Sequence, residues 1–298
     1  MSYKIKCDFI EKLIEIDIAR YFGAFTFLNG EFYYLENADE QMTGADLLSE
    51  DANAILIYMQ AKVSEGLKTI SKVKASSRKN RSFLEDIREY RHNLSLDQKE
   101  DYFLYFQLRK KAEHATDFQH NILMKYANTG FSHAFYIAPL LLKKDEYEKQ
   151  FLSIPDFLLS PFYLDEYELV EKKWVSHFGF IPFLRNHISI VPHENVDTNE
   201  HYYAYSKHGT DVTWHSPEFI NEKPTRLADT MVSIMRDFYN SKKKETLRSL
   251  ATKLTQMPIF SDSQVNDNNA IDIITKHGQL LERQFGIKQL LYVQNRPL

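Results

Sequence analysis

The apolar run at residues 54–61 constrains the fold of this 298-residue chain more than any other segment. It reads AILIYMQA, and such a dense mixture of apolar and β-branched side chains is typical of a strand buried on both faces of a sheet. The run stops at Gln60-Ala61-Lys62. Because side chains alternate between the faces of a strand, Gln60 and Lys62 are expected to point to one side and Ala61 to the other. The sequence therefore predicts a central strand with an amide and an ammonium group at its carboxyl end.

Alternating helices and strands surround this run and predict an α/β fold, with a mixed central sheet flanked by helices. The elements predicted for the first half are an amphipathic helix at 8–21, a hairpin of 23–28 and 31–36 around Asn29-Gly30, a helix at 83–91, a strand at 102–109, a helix at 117–127 capped by Asp117, and a strand at 131–140 that Pro139 ends. For the second half we predict strands near 177–183, 187–191 and 201–206, a hairpin turn at His208-Gly209, and helices at 226–240, 243–256 and 268–284. We expect a core at 1–150 and an additional C-terminal α+β region at 151–298, which recognises substrate or a partner, with the Pro-interrupted stretch 155–162 as the boundary.

Composition and charge narrow the classes of protein. The N-terminal segment carries acidic residues and does not resemble a signal peptide, and no run of about 18 apolar residues predicts a membrane span. Cys7 is the single cysteine, so a disulfide within the chain and a cysteine-based zinc site are excluded. These features predict a cytoplasmic protein. The net charge of -4 means that any nucleic-acid surface must be a local basic patch.

Oxygen ligands for a metal ion precede the predicted central strand. Asp46 follows Gly44, which permits a bend, and a strand starting there brings its carboxylate beside Gln60 and Lys62. Carboxylate, amide and backbone oxygens suit Mg²⁺, so the predicted metal ligands are Asp46, Gln60, the Ala61 carbonyl and Glu40. Glu36 is a weaker candidate for the second carboxylate. A bound metal lowers the pKa of water and polarises a phosphate, and Lys62 orients the attacking water or stabilises the negative charge that develops on phosphorus.

A structural interpretation of the same residues stays open: Asp46 as a turn residue, Gln60 as a satisfied polar group and Lys62 as a solvated strand end. The spacing Asp46…Gln60-Ala61-Lys62 nevertheless resembles the signature of the PD-(D/E)xK nuclease superfamily, in the variant of Mrr-type restriction enzymes where Gln replaces the second acid. The motif E-x-x-T-G-A-D at residues 40–46, followed by a strand that ends in Q-A-K, also resembles bacterial nucleases of anti-phage defence loci. Ala45 stands where the family has proline.

The resemblance covers residues 8 to about 140. It implies a restriction-endonuclease-like core and cleavage of DNA that depends on Mg²⁺ or Mn²⁺, with Asp46, Gln60, Lys62 and Glu40 as the catalytic residues. We expect a homo-oligomer that works in bacterial defence or restriction, together with a partner protein in some systems. The alternatives are a nuclease-like subunit that has lost catalysis and binds nucleic acid or a partner, and a structural or regulatory protein without a nucleic-acid role.

Four further groups of residues are candidates for other roles. Six positive charges without an acid follow the central strand and predict phosphate contacts, with a solvated loop as the alternative: Lys68, Lys72, Lys74, Arg78, Lys79 and Arg81. Gln119 and His120 begin a helix and either line the site or cap that helix. Gln107 and Arg109 are candidates for a supporting or DNA contact only. The histidines at 187, 193, 201, 208 and 215 admit a zinc site, but a structural or surface role is favoured because no H-x-x-x-H helix is present.

Overall fold

Two β-sheets organise the chain in the computed structural model, which describes residues 2–23, 30–34, 49–74, 82–151, 182–216, 219–222, 224–260 and 269–294. The strands are β1 Lys4–Ile5, β2 Gly30–Tyr34, β3 Asn53–Ala61, β4 Glu65–Lys68, β5 Tyr102–Gln107, β6 Ser132–Pro139, β7 His187–Ile190, β8 Tyr202–Tyr205, β9 Val212–His215, β10 Phe219–Glu222, β11 Thr225–Arg226, β12 Glu245–Thr246 and β13 Lys288–Gln294. The α-helices are α1 Glu11–Gly23, α2 Phe83–Asn93, α3 Gln119–Ala127, α4 Lys144–Glu148, α5 Pro182–Arg185, α6 Leu227–Asn240, α7 Leu247–Thr255 and α8 Ala270–Phe285.

The larger sheet has β3 near its centre. Its strand order within the described residues is β11-β7-β6-β3-β13-β2, and β12 pairs with the start of β3. β3 runs parallel to β6, with Gln60 opposite Tyr136, and antiparallel to β13, with Ile57 opposite Leu290. The prediction of a buried central strand at 54–61 is therefore confirmed. The fold is mixed α/β, as the alternation of elements predicted.

Helices cover both faces of this sheet, and the side chains of β3 alternate between the two faces. Leu56 and Tyr58 belong to a core that includes residues of α3, α7 and α8. Ile57 and Met59 point the other way, into a core that includes residues of α1 and α6. Apolar side chains on both faces explain why the sequence shows a continuous apolar run there rather than an alternating one.

The smaller sheet is antiparallel, in the order β1-β4-β5-β8-β9-β10. Leu104 and Phe106 of β5 face the core that the two sheets share, while Phe103 and Tyr105 form a separate core with α2. Strands from both halves of the sequence pair within each sheet. The expected boundary near residue 150 therefore does not separate the sheets into an N-terminal and a C-terminal set.

Several local predictions need correction. The helix predicted over 117–127 begins at Gln119, and its N-cap is Phe118, because the Asp117 carboxylate accepts hydrogen bonds from the Phe118 amide and the Asn121 side chain instead. Part of the strand predicted near 177–183 is wrong, because residues 182–185 are helical; the rest of it lies outside the described residues. Most of the predicted hairpin arm 23–28 also lies outside the described residues. Within the described residues, β2 pairs with β13. The β8–β9 hairpin is confirmed, with Gly209 in the left-handed region.

Two further points concern the second half. The helices predicted at 226–240, 243–256 and 268–284 are observed as α6, α7 and α8 with small shifts at their ends. β13, which completes the pairing of β3, was not predicted.

Across the described part of the chain, no helix combines the length and apolar character needed to cross a membrane.

A buried histidine in the core makes the stability of the fold sensitive to acid. His277 of α8 contacts the Tyr126 hydroxyl at 2.6 Å and the Gln289 side-chain oxygen at 2.8 Å. Because the Gln289 oxygen can only accept, Nδ1 of His277 donates to it, and Nε2 of the neutral ring accepts from Tyr126. Burial lowers the pKa of His277 to about 4, against a small opposing contribution from Gln289.

We expect unfolding experiments to reveal this histidine. The unfolded chain binds the proton near pH 6.5 and the folded chain only near 4, so stability is complete above pH 6.5 and is lost as the pH falls towards 4. In His277→Gln, the difference in free energy of unfolding between pH 7 and pH 5, measured with urea, should shrink by about 2 kcal/mol. The exposed His114→Gln serves as the control. An unchanged difference in His277→Gln would contradict the prediction.

Candidate active site

Gln60 and Lys62 lie at the carboxyl end of β3 and are both buried. Gln60 is 1% exposed and Lys62 is 3% exposed, although neither side chain is apolar. The two side chains contact the same residue of α3, Gln119, so they lie on one face of the strand as the alternation predicted. The structural interpretation of Lys62 as a solvated strand end is therefore wrong. A buried lysine needs partners, because removing an ammonium group from water is costly.

The Gln119 side chain joins these two residues. Lys62 Nζ donates to Gln119 Oε1 at 3.1 Å, and Gln119 Nε2 donates to Gln60 Oε1 at 2.6 Å and to the backbone carbonyl of Phe285. Gln119 begins α3, whereas Phe285 ends α8, so one amide ties two helices to the end of the central strand. The three polar side chains therefore form one hydrogen-bonded unit, which we call the Gln60–Lys62–Gln119 cluster.

A carboxylate at the start of α1 approaches the ammonium group. Glu11 Oε1 lies 3.8 Å from Lys62 Nζ, and the Glu11 side chain is 43% exposed. Burial chiefly lowers the pKa of Lys62; Glu11 opposes this shift, Arg109 adds to it, and Glu15 also opposes it. The Lys62 ammonium group is thus removed from water, whereas the Glu11 carboxylate beside it is partly in solvent. Such a cation can interact strongly with an anion that enters the site.

Tyr136 extends the cluster towards the second sheet. Lys62 Nζ lies 5.9 Å from the centre of the Tyr136 ring, within the range of a cation–π interaction. The Tyr136 hydroxyl contacts His120 Nδ1 at 2.9 Å, and His120 Nε2 contacts the Glu194 carbonyl at 2.8 Å. The His120 ring also stacks on Trp214 with an interplanar angle of 8°. Tyr136 therefore links His120 to Lys62.

The oxygen atoms around the cluster suit a hard divalent cation. They are Gln60 Oε1, the Ala61 carbonyl, which accepts from Gln60 Nε2 at 2.9 Å, and the Glu11 carboxylate. Among the residues described, His, Cys, Asp and Glu form no group of three or more that could hold a metal. The predicted ligands Asp46 and Glu40, and the supporting candidate Glu36, lie outside the described residues.

The basic run starts one strand away from the cluster. Lys68 ends β4, six residues after Lys62, which is at most about 20 Å along an extended chain. Lys72 forms an ion pair with Asp101 at 2.9 Å on the surface, and Lys74 is exposed. Arg78, Lys79 and Arg81 lie outside the described residues. The described lysines are thus not part of the cluster, and their phosphate contacts stay a prediction about a wider surface.

Sequence reasoning missed three contributors to this edge of the sheet, which are Glu11, Glu15 and Lys288. Glu11 and Glu15 are one helical turn apart, which places them on one side of α1, but the sequence pattern showed only a polar helix face. Glu15 lies 3.6 Å from Lys288 Nζ, a second buried lysine, which also pairs with Glu282. Lys288 begins β13, opposite Met59, whose side chain faces α1 and α6. Within the described residues, this edge therefore holds two buried ammonium groups, one associated with each sheet face.

Comparison of the chain with protein-family models, with curated proteins and with solved structures finds no match. The function therefore has to be inferred from the cluster and from the sequence motif around it.

Proposed function

We propose that this chain is a metal-dependent nuclease with a restriction-endonuclease-like core that hydrolyses phosphodiester bonds in DNA. The observation that carries the proposal is the buried Lys62 ammonium group on the same strand face as Gln60, at the end of the central strand. Burying a cation there is unfavourable for the fold alone. A site that acts on phosphate gives that cation a function, because it meets negative charge where water is excluded.

The proposed roles follow from the contacts. Lys62 would stabilise charge on the phosphate, and Gln119 would hold the ammonium group in place. Gln60 and Ala61 would offer oxygens to Mg²⁺ or Mn²⁺, together with Asp46 and Glu40. When bound, such a metal supplies an acidified water molecule and a Lewis acid. The likeness of residues 40–46 and 60–62 to nucleases of bacterial anti-phage defence supports DNA as the substrate and defence as the setting.

A second candidate is a nuclease-like subunit that binds nucleic acid or a partner protein without cutting. The observation that favours it is that the polar side-chain atoms of the Gln60–Lys62–Gln119 cluster each have a hydrogen-bond partner already. Gln60 Oε1 already accepts from Gln119, and Lys62 Nζ already has an acceptor, so the cluster is satisfied without an ion. Gln60 also stands where an acid would bind a metal more strongly.

The two candidates are separated by incubating the protein with plasmid DNA in Mg²⁺, in Mn²⁺ and in EDTA, and resolving the products on a gel. The nuclease proposal expects nicked or linear DNA with either metal and intact DNA in EDTA. Asp46→Asn, which removes one charge at nearly constant shape, should not cut. Binding without cutting favours the second candidate. Cleavage that persists in EDTA or in Asp46→Asn contradicts the proposed site.

A further inference from the structure

Arg109 presents an exposed cation beside the Gln60–Lys62–Gln119 cluster. Arg109 lies two residues after Gln107, the last residue of β5. Its side chain is exposed, whereas that of Leu108 between them is buried. Within the part of the chain that the structure describes, its guanidinium group has no hydrogen-bond or ion-pair partner. An arginine without a partner next to a buried lysine leaves a local excess of positive charge at the site.

The position of this guanidinium group is set by the end of α8. A methyl group placed on Gly286 would lie 3.0 Å from Arg109 Nη1 and 3.6 Å from Gln119 Nε2. Gly286 caps α8 with a φ of 65°, so glycine is favoured there by the backbone as well as by the close approach of Arg109. The carboxyl end of a helix carries partial negative charge, which holds a cation nearby. Arg109 and Gln119 thus contact the same turn.

Contacts around Gln119 place the two cations near one another. Lys62 Nζ donates to Gln119 Oε1 at 3.1 Å, and Arg109 Nη1 and Gln119 Nε2 both lie against Gly286. Two neighbouring cations repel each other unless an anion lies close to both. Among the described residues, the carboxylate within ion-pair distance of Lys62 belongs to Glu11, and Glu11 forms no ion pair with Arg109 there. A bound phosphate group would relieve the repulsion and give the guanidinium group its missing acceptors.

We propose that Arg109 is a substrate-anchoring residue, whose guanidinium group binds a phosphate of the DNA backbone at the mouth of the Lys62 site. The inference rests on the proposed nuclease function and deepens it, since it names a chemical group of the substrate and the residue that holds it. Arginine suits this role because its planar group donates two parallel hydrogen bonds to phosphate oxygens and stays charged. Lys110, the next residue, is also exposed and provides a matched cation for comparison.

The test measures binding of a fluorescently labelled DNA duplex by anisotropy in EDTA, over a range of salt concentrations. We expect Arg109→Gln to weaken binding roughly tenfold and to reduce the slope of log affinity against log salt by about 1. Arg109→Lys should recover the slope, because it restores the charge. Lys110→Gln, with the same change in net charge, should have a clearly smaller effect. Thermal unfolding of each variant separates the anchoring role from a simple helix-capping role. Loss of a helix-capping role would change the melting temperature but not the slope of log affinity against log salt.

The outcomes distinguish this inference from the nuclease proposal. Equal losses in Arg109→Gln and Lys110→Gln would show a general charge effect and overturn the anchoring role, as would unchanged binding in Arg109→Gln or no DNA binding by the wild type. Wild-type binding that depends on Arg109, without cleavage in Mg²⁺ or Mn²⁺, would support the anchor and contradict the nuclease. Metal-dependent cleavage by the wild type, with unchanged DNA binding in Arg109→Gln, would support the nuclease and contradict the anchor.

Discussion

Replacing Lys62 by methionine is expected to lower metal-dependent DNA cleavage by about 10²–10³-fold, the usual effect of removing one group that stabilises charge in a transition state. Methionine preserves much of the length of the side chain but has no ammonium group. The fold should survive, because replacing a buried ion by an apolar side chain of similar volume is often neutral or stabilising. The cost is one buried acceptor, Gln119 Oε1, left without its donor. We expect a change in the free energy of unfolding of no more than about 2 kcal/mol.

Lys288→Met is the matched control for this experiment. Lys288 is also a buried lysine at the same edge of the sheet, with a side chain 4% exposed, but it pairs with Glu15 and Glu282 and begins a different strand. Removing that charge should leave cleavage within a few-fold of the wild type. Initial rates of plasmid nicking, corrected for the folded fraction seen by circular dichroism, provide the measurement. Wild-type rates in Lys62→Met would refute a chemical role for Lys62.

Gln119→Leu is expected to reduce cleavage by about 10²-fold without touching a residue that we assign to the chemistry. The leucine cannot hold Lys62 Nζ, and it leaves Gln60 Oε1 and the Phe285 carbonyl without a donor. A misplacement of reacting groups by about 1 Å can cost a factor of this size. Since buried unsatisfied groups cost about 1–3 kcal/mol each, the variant should also be less stable by roughly 2 kcal/mol or more.

A control for lost stability comes from the same helix turn. Asn121 is buried, and its side-chain amide bonds Asp117 and the backbone of Val196, away from Lys62. Asn121→Leu should therefore destabilise the protein to a similar degree while each folded molecule keeps its activity. Equal losses of activity in the two variants would mean that Gln119 acts through stability alone.

The pH profile of cleavage gives a second readout of positioning by Gln119. An acceptor for the ammonium group favours its charged form, so its loss lowers the pKa of Lys62 beyond the lowering that burial already causes. If charged Lys62 is required, activity on the alkaline side should decline at a lower pH in Gln119→Leu than in the wild type. The profile of Asn121→Leu should match the wild type.

The fold could be predicted where short-range patterns decide it. β3 was predicted because both of its faces are apolar, and α6 and α8 because their apolar residues recur with the helical period. β13 was missed although it pairs along β3, because a strand partner more than 200 residues away leaves no local signal. The helix start at Gln119 was misplaced by two residues because Asp117 bonds Asn121 rather than capping the helix.

Part of the candidate site was predictable because it also depends on short-range patterns. The shared direction of Gln60 and Lys62 follows from strand alternation, and Gln119 was recognised as a polar residue at a helix start with a candidate role in lining the site. Its contacts to both side chains depend on how α3 and α8 dock on the sheet, and Phe285 is 166 residues away from Gln119. The proximity of Glu11 likewise follows from the packing of α1, which the sequence does not specify residue by residue.

The position of β13 between β2 and β3 has a consequence for synthesis. A nascent chain translated only as far as residue 287 lacks the strand that pairs with Ala54–Met59 on one side, so β3 retains an unpaired edge. Any chain that ends before residue 285 also lacks the Phe285 carbonyl that accepts from Gln119. Products that terminate before residue 285 would therefore lack both the strand that closes this edge of β3 and the hydrogen bond that ties Gln119 to α8, so the Gln60–Lys62–Gln119 cluster would not be completed in them.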